Sequence, residues 1–282
     1  MPSRIQPQQV PELRFHLHSW LAHTAKWYTA IDRSRGDSGA PSPADEAVVH
    51  AMAKWIRHTD ESARRAVAAE ASRIAAATLY YVSEDMTHLA LQAGRSLPRF
   101  VLRAEDAPSA YGFMVWGTAI RPDDIRHEGT PEAMNPIVAC SWSPIEADPQ
   151  AAWWVSFYTD TSRFEKFVRE SFPGDPAAWQ RYGAAACPPL WLETGAVLSF
   201  SDESRQWPPS VDDDHPAAAE VARWTEPLLR TLLSTWLLMG QNVTTRTIKP
   251  DNKTRTARTL AKRGRPLPTV RLVDLAGPHT DA

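Results

Sequence analysis

The sequence predicts an α+β fold of N-terminal helices, a central antiparallel meander of about five strands, and C-terminal helices ending in a strand. Three patterns predict it. Apolar residues recur at helical spacing up to Gly94. From Arg99 to Phe200 the chain breaks into short β-branched and aromatic runs, separated by Pro, Gly, Asp and Asn. Beyond residue 216 the helical spacing returns.

Leu13, Leu17, Trp20, Leu21, Thr24, Trp27, Tyr28 and Ile31 set an amphipathic helix over roughly residues 11–31. Ser42-Pro43-Ala44-Asp45 reads as an N-cap, a proline at the first helical position and an acidic residue at the third. The helix it opens buries Val48, Met52, Trp55 and Ile56. A further, alanine-rich helix begins after Thr59 and runs through Val67, Ile74 and Tyr81, with a break at Ser83 and a stop at Gly94. The N-terminal third is thus expected to be all helix.

The expected strands are Arg99–Arg103, Gly112–Ile120, Pro136–Ser143 and Ala152–Thr159, with one or two more from Leu190 to Phe200 around Gly195. Ser162–Phe172 reads as an intervening helix. In Gly112–Ile120 both alternating sets, Phe113/Val115 and Met114/Trp116, are apolar. Such a strand is central and covered on both faces, or it lies in an interface. Residues 201–216, with Pro208-Pro209 and Asp212-Asp213-Asp214, read as an acidic linker between 1–200 and 217–282. The C-terminal part is expected to pack on the same domain. There Val221, Trp224, Leu228, Leu232, Thr235 and Met239 mark a long helix, kinked or restarted near Pro227. Residues 251–263 form a basic helix closed by Gly264, and Thr269–Leu275 forms the last strand.

Apolar residues make up 43% of the chain and charged ones 23%, as in ordinary globular proteins. Apolar runs such as Ala75–Ala77 and Leu237–Met239 are far too short to span a bilayer. The polar start, Met1-Pro-Ser-Arg-Ile-Gln-Pro-Gln-Gln, lacks the apolar stretch of a secretory signal. Two cysteines, Cys140 and Cys187, are too few for a disulfide scaffold. These features predict a cytoplasmic protein with no membrane partner. The net charge of −2 hides an asymmetry: residues 246–282 hold nine Lys/Arg and three Asp/Glu, so +6 at the C-terminal end faces −8 elsewhere.

The chain contains no G-x-S-x-G, phosphate-binding loop, G-x-G-x-x-G, H-E-x-x-H or C-x-x-C motif, and the sequence implies no cofactor. Glu84 and His88 are four apart, as a carboxylate and an imidazole sharing one helical face and one metal must be. Such pairs also arise on ordinary solvated helices. His16 and His18 share a helix but point apart, and His215 follows three aspartates in the linker. Trp116, Trp142, Trp153 and Trp154 all fall on predicted strands. They form either an aromatic groove or, as the stronger reading, an aromatic core between sheet and helices. Trp153 and Trp154 are adjacent in one strand and face opposite sides, so a second layer or a subunit interface must cover one of them.

The main functional signal is basic. Arg246, Lys249, Lys253, Arg255, Arg258, Lys262, Arg263 and Arg265 are interleaved with Thr and Asn, which also donate to phosphate oxygens. On a helix Arg255, Arg258 and Lys262 form one stripe. The segment has no aromatic side chain for base stacking, so any nucleic-acid contact is expected to be non-specific. The competing reading packs these cations on the acidic body of the same protein.

Three stretches carry a resemblance: Pro108-Ser-Ala-Tyr-Gly-Phe-Met-Val-Trp116; the hairpin from Val138-Ala-Cys-Ser-Trp142 to Trp154-Val-Ser-Phe157; and the Leu232–Met239 helix with the basic helix and Thr269-Val-Arg-Leu-Val273. In these the chain resembles uncharacterised proteins of high-GC Gram-positive bacteria and their mobile elements, over about half its length. The resemblance implies no function or catalytic residue. Taken together, the sequence points first to a non-enzymatic interaction or regulatory protein. Its sheet and long helices would serve a protein partner or self-association, and its basic segment nucleic acid. The alternatives are a metal-dependent enzyme acting on a nucleotide or nucleic acid, built on Glu84, Asp85 and His88, and a homodimer whose basic segment packs on its own acidic body.

Overall fold

The computed structural model describes residues 5–36, 61–98, 100–125, 135–145, 152–161, 188–200, 216–241 and 244–275. The expected helices at 42–56 and 162–172, and the acidic linker up to residue 215, lie outside the described residues.

Seven strands form one mixed sheet: β1 (Thr78–Val82), β2 (Gly112–Ile120), β3 (Ile137–Pro144), β4 (Ala152–Asp160), β5 (Leu190–Ser199), β6 (Thr244–Ile248) and β7 (Val270–Asp274). The order across the sheet is β5-β4-β3-β2-β1-β7-β6. β1 runs parallel to both neighbours, with Tyr80 beside Met114 on one side and Arg271 on the other. Every other pairing is antiparallel. Helices α1 (Val10–Gly36) and α2 (Glu61–Ala76) lie on one face. Helices α3 (Glu84–Arg95) and α4 (Pro216–Met239) cover the other. A short helix, α5 (Arg255–Lys262), connects β6 to β7.

The α+β class holds, and its strands are more numerous and differently wired than the sequence predicts. The antiparallel meander is real from β2 to β5, but the sheet continues through parallel β1 and β7 to β6. Thr78–Val82 is a strand and not the continuation of a helix. Its Leu-Tyr-Tyr-Val run is buried on both faces, as a strand between two parallel neighbours must be. α2 stops at Ala76, where the Arg14 guanidinium donates to the carbonyls of Ile74 and Ala75 at 3.2 and 2.7 Å. Those carbonyls have no partner inside the helix, so Arg14 satisfies them from α1. Ser83 then caps a new helix, its Oγ accepting the Met86 amide at 3.3 Å, with Glu84 and Asp85 in the first turn facing the positive end of the dipole. The N-terminal third is therefore not all helix.

The expected strand Arg99–Arg103 is likewise not a strand of the sheet over its described residues, 100–103. Only Phe100 makes an isolated bridge, and the chain turns into a 3₁₀ helix at Ala104–Asp106, where Asp106 accepts the Arg103 amide at 2.8 Å. Arginines at both ends and Pro98 just before leave too little apolar text to pair. Leu190–Ser199 is one strand carrying a bulge opposite Phe157/Tyr158, and α4 continues through Pro227.

β2 is central, and residues Gly112–Gly117 are buried throughout. On the α3/α4 face Trp142 stacks on Tyr80 (centroids 5.6 Å, 27°) and meets Trp236 edge-on at 5.1 Å, while Trp153 meets Trp236 and Phe200. On the α1/α2 face a second core gathers Leu17, Leu21, Ile74, Leu79, Tyr81, Phe113 and Leu272. No helix among the described residues is long and apolar enough to cross a membrane.

Candidate functional site

The basic segment folds into a surface built on the β6 edge of the sheet. β6 offers Thr244-Thr-Arg-Thr-Ile, a polar strand that the sequence pattern does not announce, paired antiparallel to β7 with Arg246 opposite Leu272. The chain then makes a turn in which Asp251 Oδ1 accepts the Lys253 amide at 2.8 Å. Thr254 caps α5 by accepting the Ala257 amide at 3.1 Å. α5 sits on the body through Ala257, which is 3% exposed, and through Thr256, whose hydroxyl lies 3.5 Å from His16 Nε2 on α1. Gly264 ends the helix in the left-handed region at φ 68°, and the Arg265 amide reaches back to the Leu260 carbonyl at 2.9 Å.

This anchoring sets which way the cations point. With Ala257 inward, Arg255, Arg258 and Lys262 form the outer stripe, about 10 Å long at 1.5 Å per residue. Arg246, Lys249, Lys253, Arg263 and Arg265 extend it on both sides. All eight side chains are exposed, and none forms an ion pair among the described residues. The segment therefore does not spend its charge on the carboxylates of the described body.

The tryptophans divide between the two sheet faces. Trp116, Trp142 and Trp153 are at most 4% exposed and belong to the core under α4, so these three do not line a groove. Trp154, on the opposite face, is half-buried at the wall of a cleft with Trp20 of α1 and Trp191 of β5. Neither Trp20 nor Trp191 is singled out for this role by its sequence neighbourhood.

Beneath that cleft lies a buried polar network. Glu70 of α2 projects onto the sheet, and its Oε1 accepts hydrogen bonds from the Tyr158 hydroxyl and from Ser141 Oγ at 2.9 Å. Its Oε2 accepts from Arg73 Nε at 3.0 Å. Trp154 Nε1 donates to Ser156 Oγ at 2.9 Å, and the Tyr158 hydroxyl lies 3.0 Å from Ser141 Oγ. A buried carboxylate persists only when paired and hydrogen-bonded, and Glu70 has both. The phase Val67, Glu70, Ala71, Ile74 puts an acid on the apolar stripe of an amphipathic helix, and that misplaced charge is the mark the network leaves in the amino-acid text.

Burial first, and then the Glu70 carboxylate, push the Tyr158 phenol well above its ordinary pKa. Burial does the same to the Cys140 thiol, which leaves it a poor nucleophile. A raised folded-state pKa means that the native protein holds its proton after the unfolded chain has lost it. The stabilisation is thus complete below about pH 10 and lost above it, at up to about 1.4 kcal/mol per pH unit for Tyr158. Urea unfolding followed from pH 9 to 11 should show this fall, and Tyr158→Phe should remove the part that begins near pH 10. An unchanged slope in that variant would refute the assignment.

Glu84 and His88 occupy the solvent side of α3, with His88 exposed and Glu84 partly so. No three His, Cys, Asp or Glu side chains converge among the described residues. His16 instead faces Glu12 at 3.5 Å, and burial followed by the Arg14 charge lowers the His18 pKa. His215 and Cys187 lie outside the described residues.

No protein-family model matches the chain, and no curated protein or solved structure matches it either.

Proposed function

We propose that this chain is a non-enzymatic nucleic-acid-binding protein that grips the phosphate backbone with the β6–α5 surface and does not read base sequence. One observation carries the reading: Arg246, Lys249, Lys253, Arg255, Arg258, Lys262, Arg263 and Arg265 all point to solvent without a carboxylate partner among the described residues. Arginine and lysine in that state neutralise phosphates and release condensed counterions, which makes binding favourable and steeply salt-dependent. The segment offers no aromatic platform, so bases are not stacked or selected.

The homodimer reading, with the basic segment docked on its own acidic body, is less well supported because the described part of that body supplies no partner to these cations. For the metal-dependent enzyme reading, no third ligating side chain joins Glu84 and His88 among the described residues.

The test is fluorescence anisotropy of a labelled random-sequence duplex at increasing salt. If four of the eight cations meet phosphates, log K falls against log salt with a slope of about −4, and scrambled duplexes bind alike. A flat titration, or no binding at low salt, would sink the reading.

A further inference from the structure

A cleft toward the β5 end of the sheet has chemistry of another kind. It lies between α1, α2 and the β4–β5 end of the sheet, far along the strand order from β6, and encloses about 630 Å³. That volume is in the range of pockets that hold a small organic molecule. Trp20, Trp154 and Trp191 present three indoles to it, with Trp20 and Trp191 set edge to face at 6.1 Å. Trp154 is fixed by its bond to Ser156, so its ring is held in place before any ligand arrives.

The charge at the wall is specific. The Glu70 carboxylate is compensated by Arg73. Glu193 is compensated by no cation among the described residues: its two oxygens accept only from the Asn135 backbone amide at 3.1 Å and from Asn135 Nδ2 at 2.9 Å. The Asn135 bonds orient the Glu193 carboxylate and leave its charge in place. The described wall of the cleft therefore carries one net negative charge beside three indoles. An indole face attracts a cation, and a nearby carboxylate adds to the attraction. A phosphate-bearing ligand would meet the wrong sign at both acids.

We infer that this cleft is a binding site for a small organic cation, an alkylated or protonated amine carrying an apolar or aromatic body. The amine sits against Trp191 and Glu193, and the apolar body lies along Trp154 and Trp20. The site is separate from the basic surface, and its ligand has the opposite charge preference.

Calorimetric titration of the full chain with benzyltrimethylammonium tests this, with 2-methyl-1-phenylpropan-2-ol as a neutral counterpart of nearly the same shape. The cation should bind on the order of tenfold tighter than the alcohol, the increment expected of a desolvated cation–π contact with an adjacent charge. Glu193→Gln removes the charge at a partly exposed position and should cost the cation several-fold while leaving the alcohol unaffected. Trp191→Leu keeps the cleft apolar and should also weaken the cation selectively. Equal affinities for the two probes, no binding of the cation, or an unchanged preference in both variants would overturn the inference. Should Trp191→Leu fold poorly, Glu193→Gln decides alone.

Discussion

Replacing Arg255, Arg258, Lys262 and Arg265 together with glutamine should weaken binding to a random-sequence duplex by on the order of a thousandfold at 100 mM salt. The magnitude follows from counterion release. Each phosphate contact contributes about 0.9 to the salt exponent, so four contacts amount to roughly three and a half decades at that concentration. Glutamine removes the charge and keeps the helical tendency at the three exposed α5 positions, and Ala257, which holds α5 to the body, is untouched. Thermal stability should stay within a few degrees of the parent. Single replacements should each flatten the salt slope by about 0.9, whichever duplex is used. A quadruple variant that binds like the parent would show that these cations meet no phosphate.

What the sequence makes legible here is local, and what it hides depends on distant partners. The basic helix is legible in its stripe of cations at three- and four-residue spacing and in its glycine stop, while its start, expected at residue 251, falls at Arg255, where Thr254 supplies the cap. The meander from β2 to β5 is legible through its alternation and turn residues. Strand β1 is not, because Ile74 and Tyr81 keep a helical interval across the point where α2 actually ends. What decides Thr78–Val82 is pairing with residues 112–116 and 270–273, which no local window contains. Strand β6 escapes notice for the opposite reason. It lies at a sheet edge, where polar text such as Thr-Thr-Arg-Thr is tolerated and apolar alternation is not required.

The two candidate sites divide in the same way. The opposed faces of Trp153 and Trp154 follow from strand geometry alone, as does the need for a second covering layer, and α1 and α2 supply that layer. That Trp154 shares a cleft with Trp20 and Trp191 is set by the packing of α1 over β5. The indoles come from distant parts of the chain, and nothing in the text of either segment points to the other.

The largest loss of stability should come from Trp142→Ala. The indole is 1% exposed, stacks on Tyr80, meets Trp236 edge-on, and donates from Nε1 to the Ser109 carbonyl at 2.8 Å. Truncation leaves a cavity bordered by two other aromatic rings on rigid strand and helix, which cannot collapse into it, and strands the Ser109 carbonyl. About 3–5 kcal/mol is expected, a large share of the stability of an ordinary domain, with a fall in melting temperature of about 10 °C. The neighbouring strand gives an independent check. A Cβ placed on Gly112 would overlap the Trp142 ring, so Gly112→Ala must displace the same indole by a different route. In the parent, Gly112→Ala should therefore be strongly destabilising, and in the Trp142→Ala background it should cost little. The double-mutant cycle would then show a coupling of at least about 1 kcal/mol between the two positions. Additive losses would mean that Trp142 does not fill the space over Gly112, and the packing of the aromatic core under α4 would need to be redrawn.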